Sequence, residues 1–307
     1  MLTLAPIFIV GCPRSGTTLL QHMLDAHPAV AIAPETRFVR HFWFQREQYG
    51  PLDNDDNYRA LIQALLERAA SIKMELDVDD FCVAAQSIER SYPNLFNLLL
   101  CHFGKKQAVL RVGEKTPQHL LHMQTLQEFF PQARFIHIIR DPRAVVSSWR
   151  KVPWSRGSIH GDARVWQRYM ATAQQFPPTN GALHTLHYEA LITNPEASLQ
   201  AICDFLDLPF DKAMLNYHRK NQEKVNIVEP WKSNASKPIN PETLTLWQQE
   251  MSAEDITTVE LIAKEEMAKL GYATIASNWQ LMQKSAELKT RRALRKVRYF
   301  LRDAISR

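Results

Sequence analysis

The chain has 307 residues, of which 45% are hydrophobic and 22% are charged, the balance of an ordinary folded α/β protein. Its formal charge of +5 is misleading, because residues 280–307 hold nine Lys or Arg and two acids, whereas the remainder is slightly acidic. A body without excess positive charge argues against nucleic-acid binding, and no apolar run approaches the length of a membrane span. No targeting signal precedes the first apolar run, so we expect a cytoplasmic protein.

Four apolar runs predict β-strands, and they lie at residues 7–10, 108–112, 134–139 and 183–187. Polar turn residues and then helical spacing follow each run. This alternation is typical of βα units, in which helices flank a central parallel sheet. The sequence therefore predicts an α/β protein.

The rest of the chain is mostly helical in pattern. Helices are expected across residues 37–103, across 194–219 with a break at Pro209, and across 241–270. Residues 229–242 have no apolar periodicity and predict a long loop, a type of segment that often carries function. We place a domain boundary at residue 278, which gives a main domain over 1–278 and a basic amphipathic helix over 279–307.

The first motif, "FIVGCPRSGTT" at residues 8–18, is a strand followed by a glycine-containing turn and a helix start. Gly11 and Gly16 have the separation found in ATP-binding loops, but Thr17 stands where those loops have a lysine. Backbone N–H groups at a helix start still bind phosphate, and Arg14 adds a cation. A sulfuryl group carries less negative charge than a terminal phosphoryl group, so its transfer fits such a loop without a metal ion.

The second motif, "RFIHIIRDPRAVVSSW" at residues 134–149, is again a strand, a turn and a helix. "PRSGTT" and this second motif resemble the cofactor-binding motifs of sulfotransferases that use 3′-phosphoadenosine 5′-phosphosulfate (PAPS). "PETRF", "EKTPQHL", "LHYEALITNPE" and "KPINPETLTLW" follow in the same order as in tyrosylprotein sulfotransferases and their bacterial relatives. The resemblance implies a three-layer, P-loop-type fold and sulfuryl transfer from PAPS, without a metal, to an acceptor hydroxyl.

The resemblance also implies roles for individual residues. Glu35 matches the catalytic base, and Arg14 and Lys115 match cations that stabilise the transferring group. His119 is a competing base, because other sulfotransferases use a histidine. The cofactor-binding positions implied by the resemblance are Pro13, Arg14, Ser15, Gly16, Thr17, Thr18, Arg140, Ser148, Tyr188, Ser236 and Lys237.

Several alternatives remain open. A phenol or peptide tyrosine is the favoured acceptor, since its hydroxyl loses a proton more easily than that of a sugar, but a carbohydrate or lipid hydroxyl is the alternative. A small-molecule kinase with a degenerate P-loop is a rival enzyme class. A non-enzymatic protein that binds a membrane surface through its basic tail is a further rival. The tail suits a peripheral membrane surface or a second subunit in a homodimer, because Leu294, Val297, Leu301 and Ile305 recur at helical spacing among its Arg and Lys residues.

Overall fold

A computed structural model of the chain describes residues 5–106, 109, 111–153, 155, 157–176, 182–221 and 234–305. The chain divides into two compact units. The first unit comprises Met1–Arg140 and Thr172–Pro241, and the second comprises Asp141–Ala171 and Glu242–Arg307.

The first unit contains a five-stranded sheet, whose strands are β1 (Ile7–Gly11), β2 (Val30–Ala33), β3 (Arg111–Lys115), β4 (Arg134–Ile139) and β5 (Leu183–His187). Every neighbouring pair is parallel, and the strand order is β2-β3-β1-β4-β5. All five residues of β1 are buried, as expected for a central strand covered on both faces. The predicted α/β architecture, a parallel sheet flanked by helices, is therefore confirmed.

Two strands differ from the sequence prediction. The prediction omitted β2, whose four residues are too short a run to stand out. It also placed the second predicted strand at 108–112, whereas β3 runs from Arg111 to Lys115. The polar end of β3 is strand because its neighbours pair with it: Ala33 is aligned with Glu114, and Ile9 with Lys115.

Helices fill the connections of the first unit, at α1 (Thr17–Asp25), α2 (Asp55–Ser71), α3 (Val78–Gln86), α4 (Tyr92–Lys106), α5 (Met123–Phe129), α8 (Tyr188–Thr193), α9 (Pro195–Phe205) and α10 (Tyr217–Asn221). The helix break expected at Pro209 lies between α9 and α10. The core contains a cluster of phenylalanines around Phe8 of β1. Its ring centroid lies 5.5 Å from that of Phe135 and 6.0 Å from those of Phe96 and Phe130.

The second unit contains α6 (Pro142–Trp149), most of α7 (Ile159–Gln175), α11 (Leu246–Glu250), α12 (Ala253–Lys269) and α13 (Asn278–Ile305). The helical pattern of residues 241–270 is interrupted at Ser252, whose hydroxyl accepts the Asp255 N–H and caps α12. α13 begins at the boundary expected from sequence, but the proposed division at residue 278 stays a prediction. Within the residues that the structure describes, no helix is long and apolar enough to cross a membrane.

A buried ionic network stabilises the start of α6 in the second unit. The Arg143 guanidinium contacts the Asp141 carboxylate at 2.7 Å and the Glu260 carboxylate at 2.6 Å, and it lies over the ring of Trp247. Glu260 also accepts the backbone N–H groups of residues 275 and 276. Asp141, Arg143 and Glu260 are all buried and paired, so Arg143 belongs to a buried structural network and not to an ion pair on the surface.

Candidate functional site

The loop between β1 and α1 has the geometry of an anion-binding turn. Arg14 and Gly16 both adopt left-handed backbone conformations, with φ of 75° and 98°, and the Ser15 N–H donates to the Cys12 carbonyl at 3.1 Å. Gly16 is the N-cap of α1 and has no side chain to bind the first amides of the helix. These amides and the positive end of the helix dipole favour a negatively charged ligand.

Ser15 provides a second indication of a ligand at this loop. Its side chain is completely buried, and its Oγ makes no hydrogen bond to any residue within the described ranges. A buried hydroxyl without a partner is costly in a folded protein. Pro13 and Thr18 are partly buried, and Thr17 is buried at the first position of α1. The loop therefore presents a short cluster of hydroxyl and amide donors.

Arg140 brings the second motif to this loop. It follows β4, the direct neighbour of β1, and its Nη1 donates to the Arg14 carbonyl at 3.2 Å. Its guanidinium carbon lies 4.2 Å from the centre of the Tyr188 ring. Tyr188 is the first residue of α8, after β5, so three adjacent parallel strands deliver these groups to one edge of the sheet.

Tyr188 also packs against the first motif. A Cβ atom built on Gly16 would lie 2.4 Å from Cδ2 of Tyr188, closer than real carbon atoms approach. The tyrosine ring thus lies against both Gly16 and Arg140. Only a residue without a side chain at position 16 permits this contact.

Glu35 and Lys115 form an ion pair at the ends of two other strands. Glu35 follows β2 and Lys115 ends β3, and these strands are neighbours in the sheet. Lys115 Nζ lies 2.6 Å from Glu35 Oε1, with 2% of the lysine side chain and 14% of the glutamate side chain exposed. Arg37 Nη2 lies 3.4 Å from the other carboxylate oxygen. A base and a cation are thus held side by side.

The backbone that carries Glu35 is held from two directions. Arg68 of α2 donates to the carbonyl oxygens of Glu35 at 2.6 Å and Thr36 at 3.1 Å. The Thr36 hydroxyl donates to the Glu114 carboxyl at 2.8 Å, and the Thr116 hydroxyl donates to the same carboxyl. Sequence reasoning missed Thr36, Arg68 and Glu114. "PETRF" and "EKTP" contain two of them, but nothing in the sequence relates Arg68 to the site.

His119, the alternative base, lies in the core. It is 1% exposed, and its ring packs edge-on against Phe8 and Phe96. Burial lowers the pKa of His119 to about 3, so the ring is neutral at physiological pH. Its Nδ1 lies 3.5 Å from the carboxyl of Glu114, which is also fully buried and whose pKa burial raises to about 7.

The remaining predicted cofactor residues lie further along the chain. Ser148 is a partly buried residue of α6 in the second unit, next to Ser147, whose hydroxyl donates to Glu250. Ser236 is partly buried and Lys237 is exposed. Their segment is held by the Tyr217 hydroxyl, which donates to the Lys237 carbonyl, and by His22 Nδ1 of α1, 3.0 Å from the Ala235 carbonyl.

Across the described parts of both units, no cluster of three or more His, Cys, Asp or Glu side chains has the arrangement of a metal site.

Comparison of the sequence with known proteins identifies a family and several relatives. Residues 6–212 match the family model described as "Sulfotransferase family". The chain is 27% identical to protein-tyrosine sulfotransferase A of Caenorhabditis elegans over 275 residues, which cover 87% of this chain and 67% of the relative. It is 26% identical to protein-tyrosine sulfotransferase 1 of Homo sapiens over 282 residues, which cover 88% and 70%.

Two solved structures share the fold. The sulfotransferase domain of the Synechococcus PCC 7002 olefin synthase superposes with a TM-score of 0.62 at 22% identity and covers 88% of this chain and 95% of that domain. The sulfotransferase domain from the curacin biosynthetic pathway gives a TM-score of 0.60 at 18% identity, covering 88% and 98%.

Proposed function

This chain belongs to the sulfotransferase family, and we propose that it transfers the sulfuryl group of PAPS to a phenolic hydroxyl, with a peptide tyrosine as the first candidate acceptor. Its relatives with tyrosine-specific names support that choice of acceptor. The observation that carries the proposal is the meeting of the two phosphate motifs, where Arg140 donates to the Arg14 carbonyl.

Residues 13–18 would hold the 5′-phosphosulfate, and Arg140 would hold the ribose 3′-phosphate. The role that the resemblance implies for Ser148 stays a prediction. The buried Ser15 hydroxyl, which has no hydrogen-bond partner among the described residues, and the two left-handed residues of the loop support the first assignment. Arg140 suits the second, because a planar guanidinium binds phosphate through two parallel hydrogen bonds. Tyr188 would orient Arg140, and Ser236 and Lys237 would approach the phosphates from their own segment.

When bound, PAPS supplies an activated sulfuryl group whose S–O bond to the phosphate is broken as the new S–O bond forms. Glu35 accepts the proton that leaves the acceptor hydroxyl as the hydroxyl oxygen attacks the sulfur. Lys115 and Arg14 stabilise the negative charge that develops on the departing phosphate. The 2.6 Å pair of Glu35 and Lys115 supports these roles because it holds a proton acceptor beside a cation. The burial of His119 supports Glu35 over His119 as the base.

The test is an acceptor screen with radiolabelled PAPS in the presence of EDTA. We expect transfer to tyrosine peptides or phenols by the wild-type protein and a loss of about 10²- to 10⁴-fold for Glu35→Gln, the usual contribution of a general base. Glu89→Gln is the matched control, because Glu89 is an exposed carboxyl of the same unit.

Three outcomes would contradict parts of the proposal. Transfer only to sugars or lipids would replace the acceptor class. Phosphoryl transfer from ATP, abolished by EDTA, would identify a kinase instead. Full turnover by Glu35→Gln together with inactivity of a folded His119→Asn variant would assign the base to His119.

A further inference from the structure

The helix α13 in the second unit has one side packed on α12. Leu281 and Lys284 are buried on this inner side, and Lys284 Nζ contacts the Glu254 carboxylate at 2.6 Å and the Glu287 carboxylate at 2.9 Å. These contacts determine the rotation of the helix about its axis, and with it the side that faces away from α12.

The side away from α12 carries large apolar residues in contact with solvent. Trp279 is 66% exposed, Met282 is 72% exposed and Leu294 is 56% exposed, and Ile275 is exposed just before the helix. Such residues are normally scattered singly over a protein surface, so their repetition along one side of a helix indicates a surface used for binding. We call this side of α13 the outer stripe.

Helical spacing extends the outer stripe along the whole helix. The backbone remains helical to Ile305. At 100° per residue, further apolar positions fall within about 60° of Trp279. These positions are Ala286, Ala293, Val297, Phe300, Leu301 and Ala304.

The C-terminal half of α13 is strongly basic. Residues 289–302 include seven Lys or Arg and no Asp or Glu. By the same helical spacing, these basic positions all fall outside the apolar sector. They are Lys289, Arg291, Arg292, Arg295, Lys296, Arg298 and Arg302.

We propose that the outer stripe of α13 docks the protein on an anionic lipid surface. An apolar stripe with basic positions 289, 296 and 298 at its margins matches a bilayer interface with negative headgroups, into which the Trp and Met side chains insert. A second copy of α13 would carry the same net positive charge, whereas an anionic surface carries the opposite charge, so charge complementarity favours the lipid. This inference is independent of the acceptor, because it concerns a surface outside the proposed catalytic residues.

The experiment is sedimentation of the full chain with vesicles of 70% phosphatidylcholine and 30% phosphatidylglycerol, and with pure phosphatidylcholine vesicles. We expect binding to the anionic vesicles that weakens as salt rises, and little binding to the neutral ones. The double variant Trp279→Ser, Met282→Ser should bind about tenfold or more weakly, since it removes two inserting side chains. Val78→Ser, Val83→Ser is the matched control, because it removes two exposed apolar residues of α3 and should bind like the wild type.

Equal binding by both double variants, or no preference for anionic vesicles, would overturn the proposal. So would a stable dimer in analytical ultracentrifugation that the Trp279, Met282 variant alone abolishes, because the stripe would then be a subunit interface. Sulfuryl transfer to a soluble acceptor should be unchanged in the same variant. A failure of the lipid test therefore leaves the proposed function intact, and the reverse also holds.

Discussion

Substitution of Gly16 by alanine tests how the two phosphate motifs are packed together. The new Cβ would lie 2.4 Å from Cδ2 and 2.8 Å from Cε2 of Tyr188, and the residue would keep a φ of 98°. Relief requires the tyrosine ring to move by about 1 Å, the difference between this overlap and an ordinary carbon contact. Because the Arg140 guanidinium lies on the same ring, such a movement also displaces the proposed 3′-phosphate ligand.

Two contributions determine the loss of stability. A left-handed backbone costs an alanine about 1–2 kcal/mol, and overpacking of a filled site costs about 1–3 kcal/mol. We therefore expect Gly16→Ala to lower the free energy of unfolding by about 2–5 kcal/mol. Gly271→Ala isolates the first contribution, because Gly271 has a φ of 78° and, apart from its two chain neighbours, no described residue has an atom within 4 Å of the point that an alanine methyl would occupy there.

Urea denaturation of a double-mutant cycle separates the two contributions. In a Tyr188→Ala background the ring is absent, so Gly16→Ala should cost only about 1–2 kcal/mol, which leaves a coupling energy of about 1–3 kcal/mol. Calorimetry with 3′-phosphoadenosine 5′-phosphate should show weaker binding by the single Gly16→Ala variant. A coupling energy near zero, or a cost for Gly16→Ala no greater than for Gly271→Ala, would refute the packing argument.

Three further predictions concern binding, pH dependence and positioning. Arg140→Ala should weaken 3′-phosphoadenosine 5′-phosphate binding by about 2–5 kcal/mol in calorimetry, with Arg140→Lys intermediate because it keeps the charge without the planar fork. Glu114 has a pKa raised from 4.5 to about 7 by burial, so the stability that it contributes is fully present below about pH 4.5 and is lost as pH rises through 7. Glu114→Gln stays neutral at every pH. As pH rises from 4.5 to 7, its free energy of unfolding in urea should therefore increase by about 3 kcal/mol relative to that of the wild type. Thr36→Val removes the hydrogen bond to Glu114 and should lower kcat more than it changes donor affinity, with a stability loss of about 1–3 kcal/mol.

Each of these predictions has a contradicting result. Equal affinity of the wild type for adenosine 5′-phosphate and for the 3′-phosphorylated nucleotide would remove the role of Arg140. A constant difference in unfolding free energy between Glu114→Gln and wild type from pH 4.5 to 7 would show that the folded protein does not hold Glu114 in its protonated form. A Thr36→Val variant with unchanged kcat would show that the Glu35 backbone needs no support from Glu114.

Local sequence patterns determined much of this protein. "FIVGCPRSGTT" and "RFIHIIRDPR" each contain an apolar strand, a turn and a helix start, and the structure has each of these elements where the patterns predict them. Such patterns are readable because strand burial and helix initiation depend on residues that are close in the chain. The parallel sheet followed from the same alternation of strands and helices.

The order of the strands was decided only by the tertiary structure. Glu35 and Lys115 are 80 residues apart, and they meet because β2 and β3 are neighbours. β2 was too short to be recognised, and the polar end of β3 is strand only because it pairs with Ile9 and Ala33. Arg68 and the burial of His119 were equally hidden. Pairing and burial depend on which distant segments pack together, and no short stretch of the sequence contains that information.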